Sequence, residues 1–265
     1  MQTLDEEAIA EAIHAQTLVP RVIVLESVSS TSDYLRDLVL RGADEGTYVL
    51  ATMQTAGKGR RNRVWHSPVG GLYASVSIRP RVALEQSPLL GFLVACSTVA
   101  AVKRVTGVEL QIKWPNDLVI DGLKIGGVLS ELVTHRECVM AVIGVGLNVN
   151  TPLESLPAQQ APEATSLSVW TSAQTPLAAL ASAVFEEIDK RVCMVDRALS
   201  FDRVMDEWAH HCTTLGRRVR IEYGGDQIVG TAIGFRGDGA LRVSTDTGAL
   251  VSIEVGDVVH LRPVS

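Results

Sequence analysis

The chain has 265 residues, of which 46% are hydrophobic, and its formal net charge is −6. This length allows one sizeable core with a second, small unit at one end. The acidic balance argues against binding of nucleic acid through the whole surface, although it leaves room for one local basic loop. The first residues are acidic and polar and lack the basic start and apolar run of an export signal, so we expect a soluble cytoplasmic protein.

The cysteines and the apolar segments argue against two further classes. The four cysteines are far apart and form no C-x-x-C pair: Cys96, Cys138, Cys193 and Cys212. Neither a zinc site nor a redox dithiol is indicated, and reduced thiols are expected. The most apolar stretch, 88–102, is about 15 residues long, shorter than the roughly 20 that cross a bilayer. We interpret it as a buried core helix and expect no membrane association.

Apolar periodicity and turn residues predict the elements of the first part of the chain. In order they are a strand at 21–28, a helix at 33–41, strands at 48–54 and 71–80, a helix at about 87–105 and sheet-like segments at 109–114, 117–133 and 137–150. Ser30 or Thr31 can cap the first helix, and Asp121-Gly122 is a strong signal for a two-residue hairpin turn. Near-continuous strands with few helices between them predict a mixed β-sheet of the α+β class rather than a doubly wound sheet.

In the rest of the chain the sequence pattern changes near position 215, from helical to short β-rich runs. Residues 151–172, rich in Pro, Ala, Ser and Thr, are interpreted as a connecting loop, and 176–211 as helical. From 215 onward, short β-rich runs separated by glycine turns are typical of a small five-stranded barrel. We therefore predict two units, a larger one at 1–214 and a small C-terminal one at 215–265.

A segment dense in glycine and positive charge, QTAGKGRRNRVW, occupies residues 54–65. Its cations, suited to a polyphosphate or a mixed anhydride, are Lys58, Arg60, Arg61 and Arg63. Its glycines let backbone N–H groups approach a ligand, and Trp65 offers a flat face for an adenine. The segment is neither a Walker loop nor a dinucleotide fingerprint, because Asn62 stands where the fingerprint needs its last glycine. The alternative is an exposed basic loop that binds nothing in particular.

A second cluster, KWPND at residues 113–117, lies where an extended segment ends at a proline. Lys113 could bind phosphate, and Asn116 could hydrogen-bond a base or ribose. Asp117 could orient a lysine amine, take its proton or help to hold Mg²⁺. The alternative is an Asn-Asp turn with a paired lysine.

Glycines recur inside two predicted strands, KIGGVL at 124–129 and GVGLNVN at 144–150. Glycine weakens a strand unless something must come close to the backbone. A flat apolar ligand could lie there while Lys124 reaches a carboxylate or its phosphoanhydride oxygen, and Asn148 could serve as a polar end group. The alternative is a β-bulge beside a surface lysine.

Together these four segments resemble the biotin–protein ligase family, over nearly the whole chain. The string KWPNDL at 113–118 is the family's most distinctive and is complete here, and the basic loop is similar to the family's G-R-G-R-x-G-R-x-W loop, which closes over biotin and the adenylate phosphate. The C-terminal runs are similar to the SH3-like domain of that family. The resemblance implies a mixed-sheet catalytic domain of the class II synthetase-like biotin/lipoate ligase fold, followed by a small SH3-like β-barrel.

The resemblance also implies roles for individual residues. The catalytic group is Arg60, Lys113, Asp117 and Lys124. The biotin-binding group is Ser30, Thr31, Gln54, Lys58, Gly59, Arg60, Lys124, Gly127 and Gly146. The group that binds ATP or the adenylate is Arg60, Arg63, Trp65, Lys113, Asn116, Lys124 and Asn148. No metal ligand is assigned firmly, although the Mg²⁺ that accompanies ATP could lie near Asp117.

Two positions depart from the family's loop pattern. Lys58 replaces the usual first arginine, so that a point charge stands in place of a bidentate contact, and Asn62 replaces the usual glycine. The loop is expected to close differently, with catalysis preserved and the adenylate retained less tightly.

The implied reaction has two steps. The biotin carboxylate displaces pyrophosphate from Mg·ATP, and a lysine of a biotin carboxyl carrier protein domain then attacks the biotinyl-AMP. No covalent enzyme intermediate is required, and both a monomer and a homodimer remain open.

Three rival functions are weighed against this reaction. A DNA-binding regulator is disfavoured, because only about 20 residues precede the first strand. A lipoate ligase or octanoyl transferase is disfavoured by the basic loop and the KWPNDL string. A non-catalytic binding module is disfavoured because Lys113, Asp117 and Lys124 are all present.

Overall fold

The structure is a computed structural model that describes residues 4–136, 138–157, 163–223, 226–254 and 257–260. The α-helices in these ranges are α1 (Glu6–Ala12), α2 (Thr31–Leu40), α3 (Leu89–Thr106), α4 (Leu167–Thr171), α5 (Leu177–Ala198) and α6 (Asp202–His211). The strands that form the first sheet are β1 (Arg21–Val28), β2 (Thr47–Gln54), β3 (Leu72–Ile78), β4 (Gln111–Lys113), β5 (Asp117–Ile120), β6 (Leu123–His135) and β7 (Cys138–Leu147). Those of the second sheet are β8 (Arg218–Tyr223), β9 (Asp226–Phe235), β10 (Leu241–Thr245), β11 (Leu250–Ile253) and β12 (Asp257–His260).

The first sheet is the predicted mixed sheet, with helices on both faces. Its strand order is β1-β2-β3-β7-β6-β5-β4. The β1–β2 pair is parallel and the other neighbouring pairs are antiparallel. Helix α2 packs Leu35 and Val39 into a small cluster on one face. Helices α3 and α5 pack within the main core on the other.

Helix α2 brings polar residues against the sheet because of how it begins. Ser30 is the N-cap, and its side chain accepts a hydrogen bond from Asp33 N at 3.4 Å, so the serine of the two candidate caps is confirmed. Leu35 and Val39, four residues apart, are both buried and anchor the helix on the sheet. Ser30 and Thr31 are therefore held at the sheet, 1% and 3% exposed.

The predicted hairpin at Asp121-Gly122 is confirmed. The φ angles of these residues are 48° and 78°, so both lie in the left-handed region that a two-residue type I′ turn requires. The β5–β6 register shifts between Leu118 and Val119, and Val119 pairs with Lys124. A strand irregularity does lie beside Lys124, as one reading of the sequence anticipated.

The apolar stretch 88–102 lies in α3, as predicted, and the helix ends at Gly107 with φ of 76°. Among the described residues, Leu84–Thr106 is the one segment long and apolar enough to cross a membrane, and 67% of its apolar window is buried inside the fold. Helix α3 therefore has the burial expected of a core helix.

One prediction for the middle of the chain needs correction. Residues 151–172, predicted as a loop, contain α4. Its N–H groups at Leu167 and Ser168 donate to the carbonyls of Asn148 and Val149, at 3.0 and 2.9 Å. Those acceptors directly follow β7, a tertiary contact that local composition does not encode. The predicted helical region 176–211 is confirmed and consists of α5 and α6, with Leu199 between them at φ of 48°.

The second sheet contains five antiparallel strands, as predicted, in the order β11-β10-β9-β8-β12. It packs against the first unit. Trp114 Nε1 donates to Gly239 O at 3.2 Å, and Phe92 stacks on Trp208 at 3.9 Å and meets Phe235 edge-on at 6.5 Å. The boundary at residue 215 stays a prediction, and residues 261–265, the end of the predicted small unit, lie outside the described ranges.

Helix α5 fixes the segment that leads into β1. Asp189, 1% exposed, accepts hydrogen bonds from the backbone N–H groups of Gln16, Thr17 and Leu18 at 2.6, 2.9 and 2.7 Å. A buried carboxylate with three donors orders this loop in place of regular secondary structure.

Replacing Asp189 with Asn should lower the free energy of unfolding by about 1–3 kcal/mol, because an amide group must turn a donor toward one of these N–H groups. Urea denaturation measures the change, and Asp206→Asn, on the exposed face of α6, is the matched control. Equal midpoints for the two variants would contradict this role.

Candidate active site

One cavity of about 770 Å³ is lined by every site residue that the sequence predicts. Its walls come from the start of α2, the basic loop, the residues after β4, and strands β6 and β7. Residues separated by more than 100 positions therefore meet in a single cavity. The roles of the individual residues remain predictions.

One end of the cavity is neutral and rich in hydrogen-bonding groups. Gln54 Oε1 accepts from Thr31 N at 2.8 Å and from Thr31 Oγ1 at 3.1 Å. Thr31 Oγ1 also lies 2.8 Å from Ser75 Oγ. Fixed amide and hydroxyl groups of this kind suit a small, uncharged polar ring.

The floor of the cavity is made of glycine backbone. Gly127 of β6 pairs with Gly146 of β7, and neither residue carries a side chain into the cavity. A Cβ on Gly146 would lie 2.4 Å from Trp65 Nε1, so the indole packs directly on this strand. Gly144, the first glycine of the predicted 144–150 segment, faces Ser32 Oγ just as closely, with 2.5 Å to its hypothetical Cβ. The floor can thus accept a flat group at close range.

The basic loop folds back on itself over the cavity. Gly59 N donates to Arg63 O at 2.7 Å, and Lys58 forms an isolated bridge with Val64. Lys58 Nζ lies 2.5 Å from Asp33 Oδ1. Arg61 Nη2 donates to Glu222 O of the second sheet at 3.4 Å, so the loop is held from both sides.

The charged end of the cavity lies where β4 gives way to β5. Lys124 Nζ lies 2.6 Å from Asp117 Oδ1 and 5.6 Å from the centroid of the Trp65 ring. Asn116 and Val128 exchange two hydrogen bonds, of 2.9 and 3.0 Å, which fix the turn after the cis Trp114-Pro115 bond. A turn with an Asp–Lys pair, the alternative reading of this cluster, is thus present and lines the cavity, although the lysine paired with Asp117 is Lys124 of β6.

Asn148 directly follows β7, a strand that supplies the glycine floor. It is 2% exposed, and its Nδ2 donates to Thr165 O at 3.1 Å. Within the described residues its buried Oδ1 has no hydrogen-bond partner. An unsatisfied buried acceptor on a cavity wall is suited to an N–H donor of a ligand.

Several lining residues were not predicted from the sequence: Ser32, His66, Leu156, Glu163, Ala164, Arg220 and Glu222. Ser32 could have been inferred, since it adjoins the predicted Ser30-Thr31 pair. Arg220 and Glu222 lie on β8, and no local motif signals them, because they reach the cavity only through the packing of the second sheet.

Comparisons with known proteins agree with this geometry. The model of the biotin/lipoate A/B protein ligase family matches residues 24–148, and that of the biotin protein ligase C terminal domain matches residues 214–261. The biotin–[acetyl-CoA-carboxylase] ligase of Mycobacterium tuberculosis is 33% identical over 248 residues, which cover 90% of this chain and 89% of that protein. The chain belongs to the biotin protein ligase family.

Two further relatives of this family are similar over most of the chain. The bifunctional ligase/repressor BirA of Bacillus subtilis is 31% identical over 247 residues, which cover 92% of this chain and 76% of that protein. The structure of biotin protein ligase from Aquifex aeolicus in complex with biotin and ATP aligns with a TM-score of 0.78 at 26% identity, covering 91% of this chain and 99% of that one.

The departure at Asn62 from the biotin protein ligase loop has a conformational explanation. Arg61 and Asn62 have φ angles of 53° and 58°, in the left-handed region. Glycine adopts this conformation freely, and asparagine tolerates it better than other residues. Asn62 therefore occupies a backbone conformation that a glycine at this position would also adopt.

Replacing Gly146 with Ala should displace the Trp65 indole and lower the free energy of unfolding by about 1–3 kcal/mol, the usual cost of overpacking. The quenching of tryptophan fluorescence by acrylamide should also increase, and this increase should vanish in a Gly146→Ala/Trp65→Phe double variant. Gly234→Ala is the control, because nothing lies within 4 Å of its Cβ position. Unchanged stability and quenching in Gly146→Ala would show that the indole does not pack on this strand.

Replacing Asn62 with Val should make the basic loop open more often, because a β-branched residue costs about 1–2 kcal/mol in the left-handed region. The rate of tryptic cleavage within residues 58–63 should rise about tenfold, while Asn62→Gly should stay within about threefold of the parent. Equal cleavage rates for the Val and Gly variants would refute the conformational explanation.

Proposed function

We propose that the chain activates biotin with ATP as biotinyl-5′-AMP and transfers the biotin to a lysine of a biotin carboxyl carrier protein domain. The observation that carries this proposal is the distribution of polar groups along the cavity described above. The neutral hydrogen-bonding groups of Thr31 and Gln54 lie at the β2 side of the sheet, whereas Lys124 lies on β6, with β3 and β7 between them. Biotin has the same asymmetry, with a neutral ring system at one end and a carboxylate at the other.

In the first step a biotin carboxylate oxygen bonds to the α-phosphorus of ATP, and pyrophosphate leaves. Negative charge builds up on the phosphate oxygens during this displacement. Lys113, Lys124 and Arg60 all line the cavity and in this proposal neutralise that charge, which is the main contribution that a preorganised cationic site makes. The glycine floor lets the biotin carboxylate and the phosphate approach closely.

In the second step the carrier lysine attacks the carbonyl carbon of biotinyl-AMP, and AMP leaves. The mixed anhydride is already activated, so a nucleophilic side chain of the enzyme is not required. The attacking amine must be neutral, and the Asp117 carboxylate orients it and accepts its proton. The 2.6 Å contact between Asp117 Oδ1 and Lys124 Nζ supports this role, since Lys124 is the group proposed to hold the leaving phosphate.

In this proposal Asn148 and Trp65 bind the base of the nucleotide. The buried Asn148 Oδ1 accepts from an amino group of the base, and the Trp65 ring supplies a stacking surface.

Mg²⁺ enters together with ATP in this proposal. The described residues contain no group of three or more His, Cys, Asp or Glu side chains that could hold a metal ion. The Asp117 carboxylate in the cavity fits a Mg²⁺ ion whose ligands come mainly from phosphates and water, with at most one or two carboxylates from the protein.

The cellular setting follows from the acceptor. Biotin carboxyl carrier domains of acetyl-CoA carboxylase or a related carboxylase are the proposed partners, and the cytoplasm is the proposed location. All four cysteines are free thiols, which suits a reducing compartment.

Biotin-dependent release of pyrophosphate from Mg·ATP tests the first step, and transfer of labelled biotin to a purified carrier domain tests the second. The carrier with its target lysine replaced by arginine is the control. Release together with lysine-dependent transfer supports the proposal. Activity with lipoate in place of biotin, or silence with both, would overturn it.

Replacing Lys124 or Arg60 with Ala should each cut the rate of adenylate formation by about 100-fold, because a charge-stabilising contact to the phosphate is lost. Single-turnover formation of biotinyl-AMP measures the effect. Lys103→Ala and Arg242→Ala are matched controls, since both side chains are exposed and lie outside the cavity. Near-normal rates in both site variants would exclude the assigned roles.

A further inference from the structure

We propose that Ser67 is a positioning residue that couples the orientation of Gln54 to the position of Trp65. This inference rests on the proposed function, in which Gln54 contacts the biotin ring and Trp65 the nucleotide. Ser67 itself does not line the cavity. Its effect would pass entirely through hydrogen bonds to those two residues.

The orientation of the Gln54 amide is set by its neighbours. Thr31 N can only donate, and it lies 2.8 Å from Gln54 Oε1, so the oxygen must face Thr31. The amide nitrogen then faces Ser67, and Gln54 Nε2 donates to Ser67 Oγ at 2.8 Å. Gln54 N also donates to Ser67 O at 3.1 Å, which fixes the two backbones side by side.

Ser67 extends this contact to the end of the basic loop. Its hydroxyl, in a residue 4% exposed, accepts from Gln54 Nε2 and donates to Trp65 O at 3.1 Å. A carbonyl can only accept, so the direction of this bond is not ambiguous. One hydroxyl group thus fixes both the amide that meets the ring and the backbone that carries the indole.

Gly57 packs against the same three residues, Gln54, Trp65 and Ser67. Trp65 N donates to Gly57 O at 2.8 Å. A Cβ on Gly57 would lie 2.4 Å from Trp65 O, 2.7 Å from Ser67 Oγ and 3.0 Å from Gln54 Nε2. The three groups are therefore packed against one backbone position, and a shift of one requires a shift of the others.

The consequence is that recognition of the biotin ring and placement of the nucleotide surface depend on one hydroxyl. Gln54 Nε2 carries two hydrogens and Ser67 Oγ accepts one of them, so in this proposal the second donates to a carbonyl of the ring. With the first hydrogen held by Ser67, the second keeps a constant direction. Loss of the hydroxyl leaves the amide held through its oxygen by Thr31 alone, so that the amide nitrogen loses its anchor, and it loosens the Trp65 carbonyl at the same time.

The test is steady-state kinetics of pyrophosphate release by Ser67→Ala, with Ser182→Ala as the control for loss of a buried serine hydroxyl distant from the cavity. The KM values for biotin and for ATP should both rise about tenfold in Ser67→Ala. Gln54 Nε2 would lose its acceptor, and the carbonyl of Trp65 would lose the donor that helps to hold the indole in position. A buried serine with a merely structural role would lower the melting temperature and leave both KM values unchanged.

A double-mutant cycle with Gln54→Ala separates coupling from independent effects. If Ser67 acts on biotin through Gln54, the double variant should have the KM for biotin of Gln54→Ala alone, and its KM for ATP should still rise. Fully additive effects on the KM for biotin, or wild-type KM values in Ser67→Ala, would overturn the proposal. A parent protein without biotin-dependent pyrophosphate release would instead refute the proposed function, so the two failures are distinguishable.

Discussion

Mutual repulsion among cations is the constraint on which the rest of the site depends. Lys58, Arg60, Arg63, Lys113 and Lys124 all line the cavity. Two like charges 4 Å apart repel each other by about 1 kcal/mol in water and by about 4 kcal/mol near a protein surface. Asp33 beside Lys58 and Asp117 beside Lys124 offset part of this repulsion. A cavity lined by this many cations favours an anionic ligand, such as the phosphates of the proposed nucleotide.

The fold lines the floor of this cavity with glycine backbone in place of large side chains. The cross-strand glycines Gly127 and Gly146 carry no side chains into the cavity, and the indole of Trp65 packs into the space that a side chain on Gly146 would fill. The neutral end is built from short hydroxyl and amide groups whose hydrogen bonds are already made. A ligand therefore meets a site that needs little reorganisation, which is how positioning lowers the barrier of an acyl transfer.

The sequence predicted those features whose cause is local. The cap at Ser30, the turn at Asp121-Gly122 and the string at 113–118 depend on neighbours in the chain, and the structure has all three where they were expected. Helix α4 and the lining residue Arg220 were missed, because the end of β7 and the docking of the second sheet create them. Ser67 was missed for the same reason, since its partners come from β2 and the basic loop. The cavity confirms that the predicted residues lie together, whereas their chemical roles stay predictions.

The most direct test of the central claim is an ATP-free transfer reaction. The chain would be incubated with labelled biotin and Mg·ATP, freed of both by rapid gel filtration, and mixed with carrier domain in the absence of ATP. The account predicts that the retained label is biotinyl-AMP, released intact on denaturation, and that it moves to the carrier lysine without further ATP. Label that stays covalently attached to the chain, or transfer that requires fresh ATP, would contradict an enzyme that acts by holding a phosphate-activated carboxylate among its cations.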